Sequence, residues 1–182
     1  MSTATSTAPL KSQADGKPGM ISQYLIFSLG KELFAVGTLR VREIIEYGNL
    51  TSVPMMPSFI RGVINLRGAV VPVIDLHARF GRPAARVGKK TCIVIFDAMR
   101  QTAGVSERVE LGLMVDAVSE VIDIPAAAIE PPPNFGTAVR RDFIRGMGKL
   151  ASRFVIILEP DRAFDVEEMA TLCESTQLAE AA

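Results

Sequence analysis

The sequence contains no tryptophan, a single histidine and only two cysteines among its 182 residues. Two cysteines are too few for a disulfide framework or for a zinc site with four cysteine ligands. The 20 lysines and arginines balance the 20 aspartates and glutamates, so no overall field attracts the chain to nucleic acid or to an anionic membrane. No apolar run approaches the roughly 20 residues of a membrane-spanning helix. These absences predict a cytoplasmic protein without membrane insertion and without metal or Cys–His chemistry.

What the sequence does contain favours a β-rich fold. Hydrophobic residues make up 48% of the chain, which is enough for a packed core. Residues 1–20 are rich in Ser, Thr, Ala, Gly and Pro, and this composition predicts a disordered N-terminal tail. After them, short β-branched apolar runs alternate with turn residues, a pattern typical of strands. Gly30-Lys31 and Arg67-Gly68 predict hairpin turns, and Pro72 inside a run predicts a strand at an edge or with a bulge.

Helical signals are fewer and lie at two places. Asp75 is placed to cap a single turn that ends at Gly81. Asp165 with Glu168 resembles a capping box, which predicts a C-terminal helix and tail over residues 166–182. That helix would carry one apolar stripe, formed by Val166, Met169, Ala170 and Cys173.

The chain also carries an internal duplication. Phe59-Ile60-Arg61-Gly62 aligns with Phe143-Ile144-Arg145-Gly146, and the match continues without a gap to Phe80 and Phe164. A looser match relates residues 34–44 to residues 111–121. A unit of about 70 residues is marginal by itself, so we expect two halves that pack on each other with a groove between them. Such junctions are common binding sites.

Catalytic signals are weak. His77 has no nucleophile or carboxylate at triad spacing, and Cys92 and Cys173 lie in apolar surroundings typical of small core residues. Basic stretches at residues 79–90 and 140–153 leave open an alternative, a small β-barrel that binds nucleic acid. The aromatic platforms that such a protein needs are missing from these stretches. The residues therefore predict a binding protein and not an enzyme.

Residues 59–76, which read FIRGVINLRGAVVPVIDL, resemble the hallmark of the CheW family of bacterial chemotaxis coupling proteins. Segments 23–30, 39–45, 113–121 and 143–148 resemble the same family in the same order. The resemblance implies a mostly β fold of two intertwined SH3-like five-stranded β-barrel subdomains, with short helices and a C-terminal helix. It places the CheW-like domain at residues 21–165, and it implies no catalysis, no metal and no cofactor.

Functionally, the resemblance implies an adaptor. Such domains couple the cytoplasmic hairpin tip of transmembrane chemoreceptors to the regulatory domain of the histidine kinase CheA, and join further CheW-like domains in arrays. We therefore expect a cytoplasmic protein that receptors recruit to membrane-associated arrays. No nucleic acid is expected among its partners.

The resemblance also indicates which residues meet each partner. It places the receptor site around Val41, Glu43, Gly62, Asn65, Arg67 and Val118. Val41 and Val118 hold matched positions in the two halves, as groove walls or as ordinary core residues. Arg67 either pairs with Glu43 or is a solvated turn residue, while Gly62 and Asn65 are expected to shape the backbone. For the kinase we predict the exposed turn formed by Gly48, Asn49, Leu50 and Thr51.

Overall fold

The computed structural model describes residues 20–134 and 139–181, without the side chains of residues 176–181. Within these ranges the chain forms eleven β-strands and three α-helices. The strands are β1 (Ile21–Leu29), β2 (Glu32–Gly37), β3 (Val41–Glu46), β4 (Ile60–Leu66), β5 (Ala69–Asp75), β6 (Cys92–Thr102), β7 (Val105–Val115), β8 (Ala117–Pro125), β9 (Ile129–Glu130), β10 (Ile144–Leu150) and β11 (Arg153–Leu158). The helices are α1 (Leu76–Arg79), α2 (Pro160–Ala163) and α3 (Val166–Ala181). Apart from Met20, the predicted N-terminal tail lies outside the described residues.

The strands form two sheets whose internal orders match. One sheet has the order β8-β1-β2-β11-β10-β9, and the other has the order β3-β6-β7-β5-β4. Position by position, β8 corresponds to β3, β1 to β6, β2 to β7, β11 to β5 and β10 to β4. The predicted mostly β fold with two intertwined units and a C-terminal helix is confirmed. The predicted strand number needs one correction, because the first sheet gains the two-residue strand β9, whereas its counterpart Thr51 forms only an isolated bridge to Val63.

The duplication is visible in the backbone hydrogen bonds. The amide of Asp75 donates to the carbonyl of Phe59 at 2.7 Å, and at the aligned positions the amide of Glu159 donates to the carbonyl of Phe143, also at 2.7 Å. Both hairpins shift register immediately after these phenylalanines. The chain crosses between the sheets from β2 to β3 and again from β7 to β8. The six-stranded sheet is therefore assembled from two separate stretches of sequence, which flank the continuous stretch from β3 to β7 that forms the five-stranded sheet, and the halves are intertwined.

Strands near the centre of the molecule bury both faces, because successive side chains enter different cores. In β6, Ile93 and Ile95 belong to a core formed by the five-stranded sheet alone, whereas Val94 and Phe96 belong to the central core between the sheets. The strands β1 and β11 alternate in the same way between the central core and a core of the six-stranded sheet. This double burial explains why these strands are continuous apolar runs in the sequence.

Arg79 of α1 ties the two halves together. Its Nε donates to the carbonyl of Ala163 at 3.0 Å, and Ala163 is the residue that aligns with Arg79 in the other half. A residue that contacts its own counterpart lies near the axis that relates the halves. The guanidinium lies 5.5 Å and 4.6 Å from the ring centroids of the aligned pair Phe59 and Phe143. Its terminal nitrogen pairs with Glu168 of α3 at 3.1 Å, so one buried cation links both halves to the last helix.

The C-terminal helix begins where the sequence predicts, with two differences in detail. Asp165 caps it, since its Oδ1 accepts from the amide of Glu168 at 3.1 Å. The carboxylate of Glu168 does not complete a capping box, because Arg79 and Arg140 hold it instead. Ala170 is exposed and so does not belong to the predicted apolar stripe, whereas Met169 is buried. No helix in the described ranges is long and apolar enough to cross a membrane.

The structure confirms the predicted turns and corrects the placement of Pro72. Gly30, Arg67 and Gly68 have φ values of 62°, 52° and 85°, as tight hairpin turns require. The proline is neither in an edge strand nor at the bulge, because β5 lies between β7 and β4 and the register shift is on β4. The ladder with β7 begins only at Val73, so Pro72 lies just outside it.

We expect the fold to lose stability in acid as the Glu168 carboxylate becomes protonated. Burial alone would raise the pKa of this carboxyl, but the guanidiniums of Arg140 and Arg79, at 2.8 Å and 3.1 Å, lower the pKa below its ordinary value. A folded-state pKa below the unfolded one gives a contribution that is present at neutral pH and is lost as the pH falls through the folded value. Glu168→Gln should therefore destabilise the protein by about 1 kcal/mol at neutral pH and by much less in acid.

Urea unfolding of the wild type and of Glu168→Gln, from pH 7 down to about pH 3, measures this difference. The two stability curves should converge as the pH falls. A gap that stays constant across the range would contradict the role assigned to the carboxylate.

Candidate partner-binding site

Val41 and Val118 lie directly after the two crossovers between the sheets. Val41 begins β3 opposite Phe96, and Val118 stands near the start of β8 opposite Phe27, with a shift in strand register beside each pair. Both valines are half-buried and pack against the central core. Each therefore has a core face and an accessible face, and the two valines occupy equivalent places in the duplicated fold.

Glu43 and Arg67 form an ion pair between opposite edges of the five-stranded sheet. Arg67 lies in the turn between β4 and β5, and its Nη1 is 2.7 Å from Oε1 of Glu43 on β3. The hydrogen bond that Arg67 donates to Glu43 raises the pKa of Arg67 above its ordinary value. The Arg67 side chain is 73% exposed, so the pair contributes little to stability and is open to a partner.

Asn65 and Gly62 shape the backbone around this pair. The Oδ1 of Asn65 accepts from the amide of Gly68 at 2.9 Å and so closes the hairpin turn that presents Arg67. Gly62 is buried with φ +153°, and a Cβ there would overlap the carbonyl oxygen of Thr51. A glycine is needed here because the backbone of another segment lies where a side chain would begin.

The predicted kinase turn lies along β4, next to the predicted receptor residues. Asn49 has φ +54° and is exposed together with Gly48, whereas Leu50 packs against the core of the five-stranded sheet. Thr51 exchanges two backbone hydrogen bonds with Val63, at 2.9 Å and 2.8 Å. The two predicted partner sites therefore adjoin each other on β4.

A groove of about 900 Å³ opens beside the first crossover. Its most exposed apolar residues are Leu39, which is 95% exposed, and Ile21, which is 65% exposed. Two ion pairs belong to its lining, Arg40 with Asp161 at 2.8 Å and Arg145 with Glu159 at 3.2 Å. The full lining comprises Met20, Ile21, Ser22, Gln23, Tyr24, Gly37, Thr38, Leu39, Arg40, Arg145, Leu158, Glu159, Pro160 and Asp161.

None of the six predicted receptor residues lines this groove, although Val41 follows Arg40 directly. The sequence reasoning missed Leu39 and Ile21. A signal for Leu39 was present, because it lies between Thr38 and Arg40 in a short 3-10 turn and is an isolated leucine outside any strand alternation. The groove itself joins distant stretches of the chain, and no local pattern marks it.

The candidate catalytic groups have structural partners. Nε2 of His77 is 3.0 Å from the carboxylate of Asp116, which also accepts from the amide of Gly30 at 2.7 Å. Cys92 and Cys173 are free and half-buried, and burial raises the pKa of both thiols. In the described ranges, no group of three or more His, Cys, Asp or Glu side chains could hold a metal ion.

Several cations of the two basic stretches are paired with acids. Arg82 contacts Glu32 at 2.5 Å, and Arg140 contacts Asp142 at 2.7 Å as well as Glu168. Paired guanidiniums attract a phosphate backbone less than free ones do. These pairings therefore disfavour the alternative of a nucleic-acid-binding barrel.

A family model described as the CheW-like domain matches residues 23–168. The chain belongs to the CheW-like domain family. The match spans both sheets and the start of α3, and it confirms the resemblance found in the sequence. The crossovers, the Glu43–Arg67 pair and the groove are therefore features of a CheW-like domain.

Relatives of this CheW-like domain include proteins named for chemotaxis. The chain is 34% identical over 148 residues to the chemotaxis protein CheW of Klebsiella aerogenes, covering 81% of this chain and 84% of the relative. It is 36% identical over 146 residues to the chemotaxis protein CheW of Rhizobium meliloti, covering 80% and 89%. Among solved structures, the scaffolding protein TtCheW from Thermoanaerobacter tengcongensis is 37% identical with a TM-score of 0.65, covering 77% of this chain and 90% of that chain.

Proposed function

We propose that this CheW-like domain is a non-catalytic chemotaxis scaffold that couples the cytoplasmic hairpin tip of chemoreceptors to the regulatory domain of the kinase CheA. The observation that carries the proposal is an accessible apolar groove on a chain of this family. Relatives that cover most of the chain are named chemotaxis proteins, and one is titled a scaffolding protein. On this proposal, receptors recruit the protein to arrays at the membrane, where it also meets other CheW-like domains.

The groove suits one helix of a receptor hairpin. An α-helix with its side chains is about 10 Å across, so a groove of about 900 Å³ takes about two turns of one. Helices in such grooves are held by a few apolar anchors, and Leu39 and Ile21 offer them here. The ion pairs at Asp161 and Glu159 supply polar groups that orient the helix without driving its binding.

The receptor surface continues from the groove along β3. Val41 and Glu43 lie two and four residues after Leu39, within about 14 Å of it along the chain. Arg67 joins this surface through its ion pair with Glu43. The kinase would contact the adjoining residues 48–51, so that the five-stranded sheet carries the kinase contact together with the β3 part of the receptor surface, and a shift in one contact biases the other.

Reconstitution tests the proposal directly. The full chain is combined with a receptor signalling fragment and a CheA-type kinase from the same organism, and kinase autophosphorylation is followed with and without this protein. Receptor-dependent control of the kinase only when this protein is present supports the coupling role. Binding to neither partner would overturn it, and salt-sensitive retention of DNA in its place would favour the nucleic-acid alternative.

We expect Arg67→Glu to weaken receptor binding about tenfold while leaving the fold intact. The substitution places a second carboxylate beside that of Glu43, and it reverses the charge that a receptor would meet at position 67. Glu43→Arg combined with Arg67→Glu restores the ion pair in the opposite sense and separates the two effects. Titration of a receptor fragment measures the affinity, and the thermal midpoint reports on the fold.

If the ion pair only orients β3, the double variant should recover most of the affinity. If the receptor recognises the positive charge of Arg67, the receptor affinity of the double variant should stay low. Receptor affinity unchanged by Arg67→Glu alone would remove Arg67 from the site.

A further inference from the structure

A buried carboxylate lies beneath two exposed arginines on the five-stranded sheet. Asp97 on β6 is 5% exposed, and its Oδ1 has no hydrogen-bond partner among the described residues. Its Oδ2 lies 3.4 Å from Nε of Arg42 on β3 and 3.6 Å from Nη1 of Arg108 on β7. Since β6 lies between β3 and β7, three adjacent strands contribute one charged side chain each.

These ion pairs leave both arginines able to bind another group. Both distances are longer than those of N–H···O hydrogen bonds. A guanidinium carries five N–H donors, and the side chains of Arg42 and Arg108 are 51% and 63% exposed, so most of their donors are accessible. The single carboxylate of Asp97 also neutralises only one of the two cations.

The spacing of the two guanidiniums suits a second carboxylate. Because both nitrogens contact the same oxygen of Asp97, they lie at most about 7 Å apart. A carboxylate accepts from guanidinium nitrogens at about 2.8 Å with each of its two oxygens, so one carboxylate can bridge both arginines. Asp97 is buried and restrains both side chains, which lowers the conformational entropy that they would lose on binding.

The arginines adjoin the proposed receptor surface. Arg42 directly precedes Glu43, whose partner Arg67 is 73% exposed. The acids of this region lie deeper than the arginines, since the Glu43 side chain is 29% exposed and Glu110, opposite Asp97 in the ladder, is half-buried. A partner that approaches this surface therefore meets guanidiniums before carboxylates, which favours a partner with an acidic side chain.

We propose that Arg42 and Arg108 form an arginine fork that binds an acidic side chain of the receptor helix. Asp97 is a positioning residue, which holds the two arginines without touching the receptor. The inference rests on the proposed function, because it names the receptor as the source of the carboxylate. The fork would fix the orientation of a helix whose apolar anchors lie in the groove.

Charge-neutral variants of the fork test the contact. Arg42→Gln and Arg108→Gln should each weaken binding of a receptor signalling fragment about fivefold at low salt, and about 0.5 M salt should reduce this difference. Arg153→Gln removes an exposed arginine at the start of β11 in the other sheet and should change nothing. Receptor affinity unchanged by both fork variants overturns the proposal, as does an equal loss from Arg153→Gln.

Double-mutant cycles identify the receptor carboxylate. Each Glu→Gln and Asp→Asn variant of the receptor hairpin tip is combined with Arg42→Gln and with Arg108→Gln. One receptor acid should show an interaction with both arginines. Equal, small interactions with every receptor acid would overturn the fork in favour of a diffuse attraction.

Asp97→Asn separates positioning from net charge. The variant makes the surface more positive, so a surface that acts through charge alone should bind an acidic receptor more tightly. Loss of the positioned fork should instead weaken receptor binding about threefold. Urea unfolding shows whether the variant is folded under the conditions of the titration, and a rise in affinity overturns the positioning role of Asp97.

A probe that contains no receptor sequence distinguishes failure of the fork from failure of the proposed function. The probe is an alanine-based helical peptide with two glutamates four residues apart, compared with the same peptide carrying glutamines. The glutamate peptide should shift the Nε–H NMR signals of Arg42 and Arg108, and the glutamine peptide should not. Equal responses to the two peptides overturn the fork. A chain that binds no receptor contradicts the proposed function, while the peptide comparison still decides whether the fork binds a carboxylate.

Discussion

Leu39→Glu is expected to reduce receptor binding at least tenfold without a measurable change in the free energy of unfolding. Leu39 is 95% exposed, so it contributes almost nothing to the core, and exposed substitutions of this kind stay within about 0.5 kcal/mol. In a complex, the same side chain would be a central apolar anchor, and glutamate would place an unpaired charge in that contact. Titration with a receptor fragment and urea unfolding measure the two effects separately.

Val105→Glu is the matched control for this prediction. It introduces the same charge at an apolar residue that is 65% exposed and lies at the start of β7, remote in sequence from every residue of the groove lining. Receptor affinity should be unchanged by it. Equal losses from both variants would point to a general effect of negative charge, and no loss from Leu39→Glu would exclude the groove as the receptor site.

The fold could be predicted because its main signals are local and are repeated. The aligned segments that begin at Phe59 and Phe143 form equivalent hairpins, and each apolar run became a strand. Two predictions, the number of strands and the placement of Pro72, were wrong for reasons that are not local. Strand β9 has only two residues, too few for any periodicity, and Pro72 is tolerated in an interior strand because the β7 ladder begins one residue later.

The candidate site was less accessible to sequence reasoning. Glu43 and Arg67 could be proposed as a pair, and the structure brings them to 2.7 Å. The groove could not be predicted, because its walls come from β1, the first crossover, β10 and the start of α2, which are far apart in the sequence. The sequence marks Leu39 only as an isolated leucine outside a strand, and it does not show that this side chain is solvated while Val41, two residues later, packs on the core.

Arg79 shows why a duplicated sequence gives an asymmetric molecule. Near the axis between the halves lies one large cation, Arg79, and the aligned residue in the other half is Ala163. Two arginines there would bury like charges side by side, which is costly. In the alignment this position is only a mismatch between Arg79 and Ala163. The structure shows that Arg79 joins the halves.

Gly62→Ala is expected to destabilise the protein by about 3 kcal/mol or more, enough to unfold a marginal domain. Two causes act together: the backbone has φ +153°, and the new Cβ would overlap the carbonyl oxygen of Thr51 while lying 3.0 Å from its carbonyl carbon. Thr51 cannot move aside cheaply, because it exchanges two hydrogen bonds with Val63. Urea unfolding followed by circular dichroism measures the loss.

Gly37→Ala is the control that separates structure from recognition. Gly37 has φ −61°, and no atom lies within 4 Å of the position that a Cβ would occupy. Alanine should therefore change the stability by less than about 0.5 kcal/mol, although this glycine lines the groove.

If Gly62 acts only through the backbone, receptor binding by Gly62→Ala should fall in proportion to the unfolded fraction, and low temperature or a stabilising osmolyte should restore it. A Gly62→Ala protein that is as stable as the wild type but binds no receptor would contradict the structural role and make Gly62 a direct contact.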